Sequence, residues 1–314
     1  MSKARKYTKK PVRKGKGILE QKKEEEPYIV ADYYEIYDKL NKDKPKMIYK
    51  QKGNIIKHPA RIMLFGPSGY GKTNLLMPFI LDLLSFKKLY IFAKNPKQRL
   101  FDLIKAVIDK ISKKTGEDIE NLFHINTEID YDVKRIQEEN DENKNQSLVV
   151  FDDMIEKGNK KNERQIDDFL KNGRSANISV IVVAQEFFAF SQSVRENINY
   201  VMLFRLRDAR KLPYIRTYYA DDLTPEEFRR SYFKATKEDI DDDNDDEDYQ
   251  KRDRNAFLFI DCDCHNKTKK YRRGFVEKSL FSSNNENPEI KYGPINKHPK
   301  SINYFNSRYE SDSE

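Results

Sequence analysis

The sequence of 314 residues carries 60 Lys and Arg against 52 Asp and Glu, a formal net charge of +8, with 37% hydrophobic and 36% charged residues. That length accommodates one large domain or two small ones, and so high a charge content places part of the chain outside any core. The longest strictly apolar runs, such as Val180 to Ala184, fall far short of the ~20 residues of a membrane helix. The basic N-terminus shows no apolar stretch of a secretory signal, and Cys262 and Cys264 are too few and too close for a disulfide framework. The expectation is a protein that is neither secreted, membrane-spanning nor disulfide-built.

The charge is concentrated in blocks. Residues 1–16 hold eight Lys or Arg and no acid, enough to account for the whole +8. Glu238 to Asp248 holds nine acids and no base, and the rest of the chain carries about +9. A basic body with a basic arm fits a polyanionic partner; the arm alone equally fits a solubilising or nuclear-import segment.

In chain order, residues 1–26 read as a disordered basic arm, and residues 27–56 as an extension whose Tyr28, Ile29, Tyr33, Tyr34 and Ile36 pack onto a larger body. From residue 57 to 280, short apolar runs alternate with amphipathic stretches, the pattern of a mostly parallel α/β sheet flanked by helices. Strands are expected at Arg61–Phe65, Lys88–Ala93, Leu122–Ile125, Ser147–Phe151, Ser179–Ala184, Tyr200–Leu206 and Ala256–Asp261. Helices are expected at Lys72–Leu84, Gln98–Lys113, Glu163–Lys171, Arg207–Tyr219 and Pro225–Lys237. The acidic stretch 238–248 reads as an inserted loop, and residues 281–314, rich in Asn, Ser and Pro, as a disordered tail.

The strand Arg61–Phe65 runs into Gly66-Pro67-Ser68-Gly69-Tyr70-Gly71-Lys72-Thr73, a complete G-x-x-x-x-G-K-[ST] phosphate-binding loop in the required context of strand before and helix after. Its glycines let consecutive N–H groups point at phosphate oxygens, and the helix that follows directs its positive end at the same anion. Lys72 is expected to reach the β- and γ-phosphates of ATP, and Thr73 to ligate Mg²⁺ through its hydroxyl. A carboxylate for the metal is supplied by Asp152, at the end of the Ser147–Phe151 strand, and Asp153 is the candidate base that orients the attacking water. Ligands gather at that end of such sheets.

A third element follows. The strand Ser179–Ala184 ends in Gln185, which faces the γ-phosphate if this strand lies beside that of Asp152. Arg174, just before the strand, is placed to reach a neighbouring subunit's nucleotide and stabilise charge there; Arg195 and Arg205 are rivals for that role. Phe187 and Phe188, just past Gln185, are expected to pack in the core, the alternative being that they border a moving surface.

Together these residues resemble the FtsK–HerA superfamily of pumping ATPases, and within it the genome-packaging ATPases of poxviruses, other nucleocytoplasmic large DNA viruses, virophages and related large transposons. The matching pieces are His58-Pro59-Ala60-Arg61 leading into Gly66–Thr73, then Phe151-Asp152-Asp153, then Gly173-Arg174 with Gln185, then Ser193-Val194-Arg195-Glu196-Asn197. The resemblance covers about residues 57–206 and implies a RecA-like P-loop domain of the additional-strand (ASCE) class. It further implies a ring-shaped homo-oligomer, commonly a hexamer, with Arg174 acting in trans and double-stranded DNA driven through the pore. Capsid proteins are implied as further partners, and the inside of an infected cell as the location. Asp153 departs from the Glu common at that position. A nucleotide-gated DNA-binding or scaffold protein with weak hydrolysis, and a DNA pump in conjugation or segregation, stand as alternatives.

Two weaker signals are set against simpler accounts. Cys262-Asp263-Cys264-His265 lacks the C-x₂₋₄-C spacing of a metal site and reads as a strand end running into a Lys/Arg turn. Thr236-Lys237-Glu238-Asp239 fits the T-K-x-D of guanine readers, but it follows a helix where a strand is needed.

Overall fold

The computed structural model describes residues 55–155, 158–236, 256–275 and 280, all within the compact unit Ile48–Glu314. The arm 1–26, the extension 27–56 apart from its last two residues, the acidic stretch 238–248 and the tail 281–314 lie outside the described residues.

Eight strands form one sheet: β1 (Arg61–Phe65), β2 (Lys88–Ala93), β3 (Phe123–Asn126), β4 (Ser147–Asp152), β5 (Ile178–Ala184), β6 (Tyr200–Phe204), β7 (Phe257–Asp261) and β8 (Tyr271–Arg273). Their order is β3-β2-β4-β5-β1-β6-β7-β8. The first six strands are mutually parallel, while β7 runs antiparallel to β6 and β8 antiparallel to β7. Parallel strands covered on both faces read as unbroken apolar runs, which is why β4 and β5 are buried at every position.

The pleat divides the core in two. Met63 and Phe65 of β1 point into one cluster with Val149, Phe151, Val180 and Val182, whereas Ile62 and Leu64 point into another with Leu148, Val150, Ile181 and Val183. The second face is covered by the helical segment 73–83 that follows the phosphate loop, and by α1 (Arg99–Thr115), whose Phe101, Ile104 and Ile108 form one stripe. The first face is covered by α2 (Val133–Asn143), α3 (Lys160–Asn172), α4 (Gln192–Glu196), α5 (Leu212–Tyr219) and α6 (Pro225–Ala235). The result is a three-layer α/β sandwich of the RecA-like P-loop type.

Departures from the sequence expectation have local causes. The segment 73–83 is helical throughout but passes from a 3₁₀ turn to an α turn to a π turn. Strand β6 stops at Phe204 because the Leu206 N–H bonds to the Tyr232 hydroxyl (2.6 Å) and not to a neighbouring strand. Helix α5 starts at Leu212, not Arg207, with Pro213 in its first turn, where its missing N–H does no harm. Helix α2 and strand β8 were not expected. In α2 the inward stripe is Val133, Ile136 and the polar Asn140, too weak an apolar pattern to announce a helix. In place of a plain Lys/Arg turn at 267–273, a four-residue helical turn (Lys267–Lys270) leads into β8.

Candidate functional site

Strand β5 lies between β1 and β4, in the register Phe65↔Ala184 and Val183↔Asp152. The carboxyl ends of the three strands therefore lie side by side, with the phosphate loop, Asp152–Asp153 and Gln185 on one edge. The Gly66 N–H bonds to the Ala184 carbonyl (3.3 Å), and the Asp153 N–H to the Val183 carbonyl (3.0 Å), so both loops leave the sheet pinned to β5.

The loop needs glycine for two reasons. A Cβ at Gly66 would lie 2.6 Å from Phe204 Cβ on β6, and Gly69 and Gly71 have φ of 82° and 80°, a region other residues enter only with strain. Lys72 is buried, and its ammonium donates to the Pro67 carbonyl across the loop at 2.8 Å. Burial lowers the Lys72 pKa, and the carboxylates of Asp153 and Asp152 oppose that shift.

Asp152 is 4% exposed. Burial, reinforced by the negative charge of Asp153, raises its pKa to about 6, against hydrogen bonds from Gln98 and Thr73 and the charge of Lys72. Gln98, at the mouth of α1, brings Nε2 to 3.4 Å from Asp152 Oδ2. In the sequence Gln98 is only the start of a helix; its link to the site follows from β2 lying beside β4. Asp153 adopts φ of 57°, an uncommon conformation that Asp tolerates better than most residues. Its Oδ2 accepts from Gln185 Nε2 at 2.9 Å. A buried carboxylate beside a threonine hydroxyl, with a second carboxylate adjoining, is a hard oxygen donor set suited to Mg²⁺.

Arg174 is not part of this cluster. It is exposed in the turn between α3 and β5, at the amino end of the seven-residue strand β5, roughly 20 Å from the opposite edge at ~3.3 Å per residue. Gly173 makes that turn tight: a Cβ there would sit 2.4 Å from the Phe169 carbonyl oxygen. Of the rivals, Arg195 is tied down, donating to the Phe190 carbonyl and to the Tyr218 hydroxyl (3.1 Å), with its guanidinium over the Tyr218 ring. Arg205 lies one residue past β6, at the same edge of the sheet as the phosphate loop, against the Phe233 ring at 4.5 Å. Phe187 and Phe188 part company: Phe187 is fully buried, but Phe188 is 53% exposed, because a 3₁₀ turn (Phe187–Ala189) replaces the extended chain.

The weaker sequence signals fall partly within the described residues. Burial raises the pKa of the Cys262 thiol to about 12, which keeps it protonated, and Cys264 Sγ lies 3.7 Å from the Asn266 carbonyl oxygen. Thr236 caps α6, its hydroxyl on the Tyr232 carbonyl (2.8 Å), while residues 237–239 lie outside the described residues. No helix among the described residues is long and apolar enough to cross a membrane.

No curated protein matches the sequence. Among solved structures, the chain is similar to the genome packaging NTPase B204 from Sulfolobus turreted icosahedral virus 2 in complex with ATP-gammaS. The identity is 16%, the match covers 66% of this chain and 94% of that one, and the TM-score is 0.43. It is also similar to ATPases 2 and 3 of EssC from Geobacillus thermodenitrificans, at 13% identity, covering 54% of this chain and 35% of that one, with a TM-score of 0.33. Residues 48–211, more than half of the 314, match the family described as Poxvirus A32 protein, and the chain belongs to that family.

Proposed function

We propose that the protein is an ATP-hydrolysing motor that packages double-stranded DNA into a viral capsid. The observation that carries this reading is the meeting of Gly66–Thr73, Asp152–Asp153 and Gln185 on one edge of the sheet, with β5 between β1 and β4. Membership of the Poxvirus A32 family, together with the resemblance of these motifs to those of genome-packaging ATPases, supports the DNA assignment. The ATPase domain is residues 57–280, flanked by the basic arm and the Asn/Ser-rich tail.

The backbone N–H groups of Ser68, Gly69, Tyr70 and Gly71 cradle the ATP phosphates, while Gly66, its own N–H on the Ala184 carbonyl, and Pro67 shape the start of the loop. Lys72 exchanges the Pro67 carbonyl for the β- and γ-phosphate oxygens. Thr73 and Asp152 would hold Mg²⁺, which when bound would supply charge that neutralises the phosphates. Asp153 orients the attacking water and takes its proton; Gln185 holds Asp153 Oδ2, leaving Oδ1 to the water. Arg174, remote from the loop of its own subunit, serves a neighbour's nucleotide and stabilises the charge of the transferring phosphoryl group. A site divided over two subunits fits a closed ring, and the resemblance to packaging ATPases implies that the ring, commonly a hexamer, encircles the DNA. Capsid proteins are the remaining partners, and the assembly site in an infected cell is the location.

The test is the rate of ATP turnover with and without duplex DNA, measured alongside particle mass. Stimulation by DNA in an oligomer, and loss of turnover in Lys72→Ala, are expected. Wild-type turnover in Lys72→Ala would overturn the site, and indifference to DNA would overturn the motor.

A further inference from the structure

Three large hydrophobic side chains stand out as strongly exposed among the described residues: Leu103, Phe188 and Tyr214. Two of them touch. Phe188 (53% exposed) and Tyr214 (56% exposed) meet edge to face, with ring centroids 5.2 Å apart and planes at 81°. They come from different elements, Phe188 from the turn after β5 and Tyr214 from the first turn of α5. An ion pair between Lys211 and Glu186 (2.8 Å) ties together the two segments that carry them.

The pair is wired to the nucleotide edge from two sides. Gln185, three residues before Phe188, bonds to Asp153. The buried Phe187 packs its ring 5.6 Å from that of Phe65, the residue that leads into Gly66. A change in the γ-phosphate surroundings that moves Asp153 or the phosphate loop therefore has a route to Phe188 through bonded and packed neighbours.

The surroundings favour a polyanion. Residues 205–216 carry Arg205, Arg207, Arg210, Lys211 and Arg216 against the single acid Asp208. Arg207 is exposed, and the Arg210 side chain, though paired with Asp208 at 2.9 Å, is 91% exposed. Two half-exposed aromatic side chains offer roughly 200 Å², far below the ~800 Å² per partner of a stable protein interface. An exposed aromatic pair on a segment rich in exposed arginine is instead a combination that nucleic acids meet, rings against sugar and base surface and guanidinium groups on phosphates.

We propose that Phe188 and Tyr214, with Arg207 and Arg210 of the segment that leads into Tyr214, form the surface by which this subunit grips DNA and couples that grip to its own nucleotide site. The proposal rests on the DNA-motor reading above and assigns the contact within it.

The test uses the full chain, a labelled DNA duplex and a salt series. The double variant Phe188→Ala/Tyr214→Ala is expected to bind the duplex about tenfold more weakly and to lose DNA stimulation of ATP turnover, keeping basal turnover and particle mass. Its dependence of log K on log salt stays that of wild type, whereas Arg207→Ala lowers the slope by about one. Phe188→Trp, which keeps an aromatic face, retains binding. Wild-type affinity in the double variant, with the wild-type protein responding to DNA, overturns the proposal; so does a fall in particle mass, which makes the pair a contact between subunits. A wild-type protein that ignores DNA overturns the motor reading, and the proposal with it, so the two failures are told apart.

Discussion

Asp152 is held where its negative charge is resisted by burial and by the carboxylate of Asp153. An unfolded chain gives up this proton near pH ~3.9, whereas the folded protein keeps it to about 6. Between those values the native state binds the extra proton, so stability falls as pH rises through the window, and above pH about 6 the full cost is in place. The neutral isostere Asp152→Asn removes that cost. In EDTA and without nucleotide, the variant is expected to be more stable than wild type near pH ~8, by on the order of 1–3 kcal/mol, and indistinguishable near pH ~4. Denaturant unfolding at the two pH values checks it; equal stability at both would mean that the carboxylate is not strained. Stability gained by removing a site residue is the expected trade where a site is built for a cation. At this scale the loop was readable in the sequence because its chemistry is contiguous, eight residues in a row. Gln98 was not, since it reaches Asp152 across 54 positions, and only the adjacency of β2 and β4 brings them together.

The central strands were legible as elements because parallel strands buried on both faces leave unbroken Val, Ile, Leu and Phe runs, as in β4 and β5. Helix α2 was not, because Asn140 occupies the third position of its inward stripe. That asparagine is fully used: Nδ2 donates to the Ala176 carbonyl (2.9 Å), and Oδ1 accepts from the Ser147 hydroxyl (2.7 Å). Beside it, Asn177 Oδ1 faces His58 Nε2 at 2.8 Å, and His58 Nδ1 lies 2.7 Å from Ser179 Oγ. With Nε2 as donor, Nδ1 accepts from the serine, a neutral imidazole in keeping with the lowering of the His58 pKa by burial. This network joins α2, β4, β5 and the turn that carries Arg174. Asn140→Leu would complete the apolar stripe yet leave the Ser147 hydroxyl and the Ala176 carbonyl without this partner, so a loss of about 2–3 kcal/mol is expected. A shift of the denaturant midpoint at unchanged slope would show it; a variant as stable as wild type would mean that apolar packing outweighs the polar network here.

For the whole molecule, the consequential fact is that Arg174 and the phosphate loop lie at opposite edges of one sheet. The sequence displays both but not the gap between them, because strand length and direction become distances only once the order of the strands is fixed. If Arg174 completes a neighbour's site, Lys72→Ala subunits lack a working loop but still offer the arginine, while Arg174→Ala subunits have the loop and lack the finger. Each variant alone is expected to be nearly inactive. Mixed in equal amounts and allowed to exchange, about a quarter of the contacts around a ring would join a sound loop to a sound arginine, and ATP turnover should recover towards that fraction. An Arg174→Ala protein that is active alone would make the residue an ordinary surface arginine. If both variants are inactive and no activity returns in exchanged particles of mixed composition, Arg174 does not act across the subunit contact, and Arg205, at the same edge of the sheet as the phosphate loop, becomes the residue to substitute next.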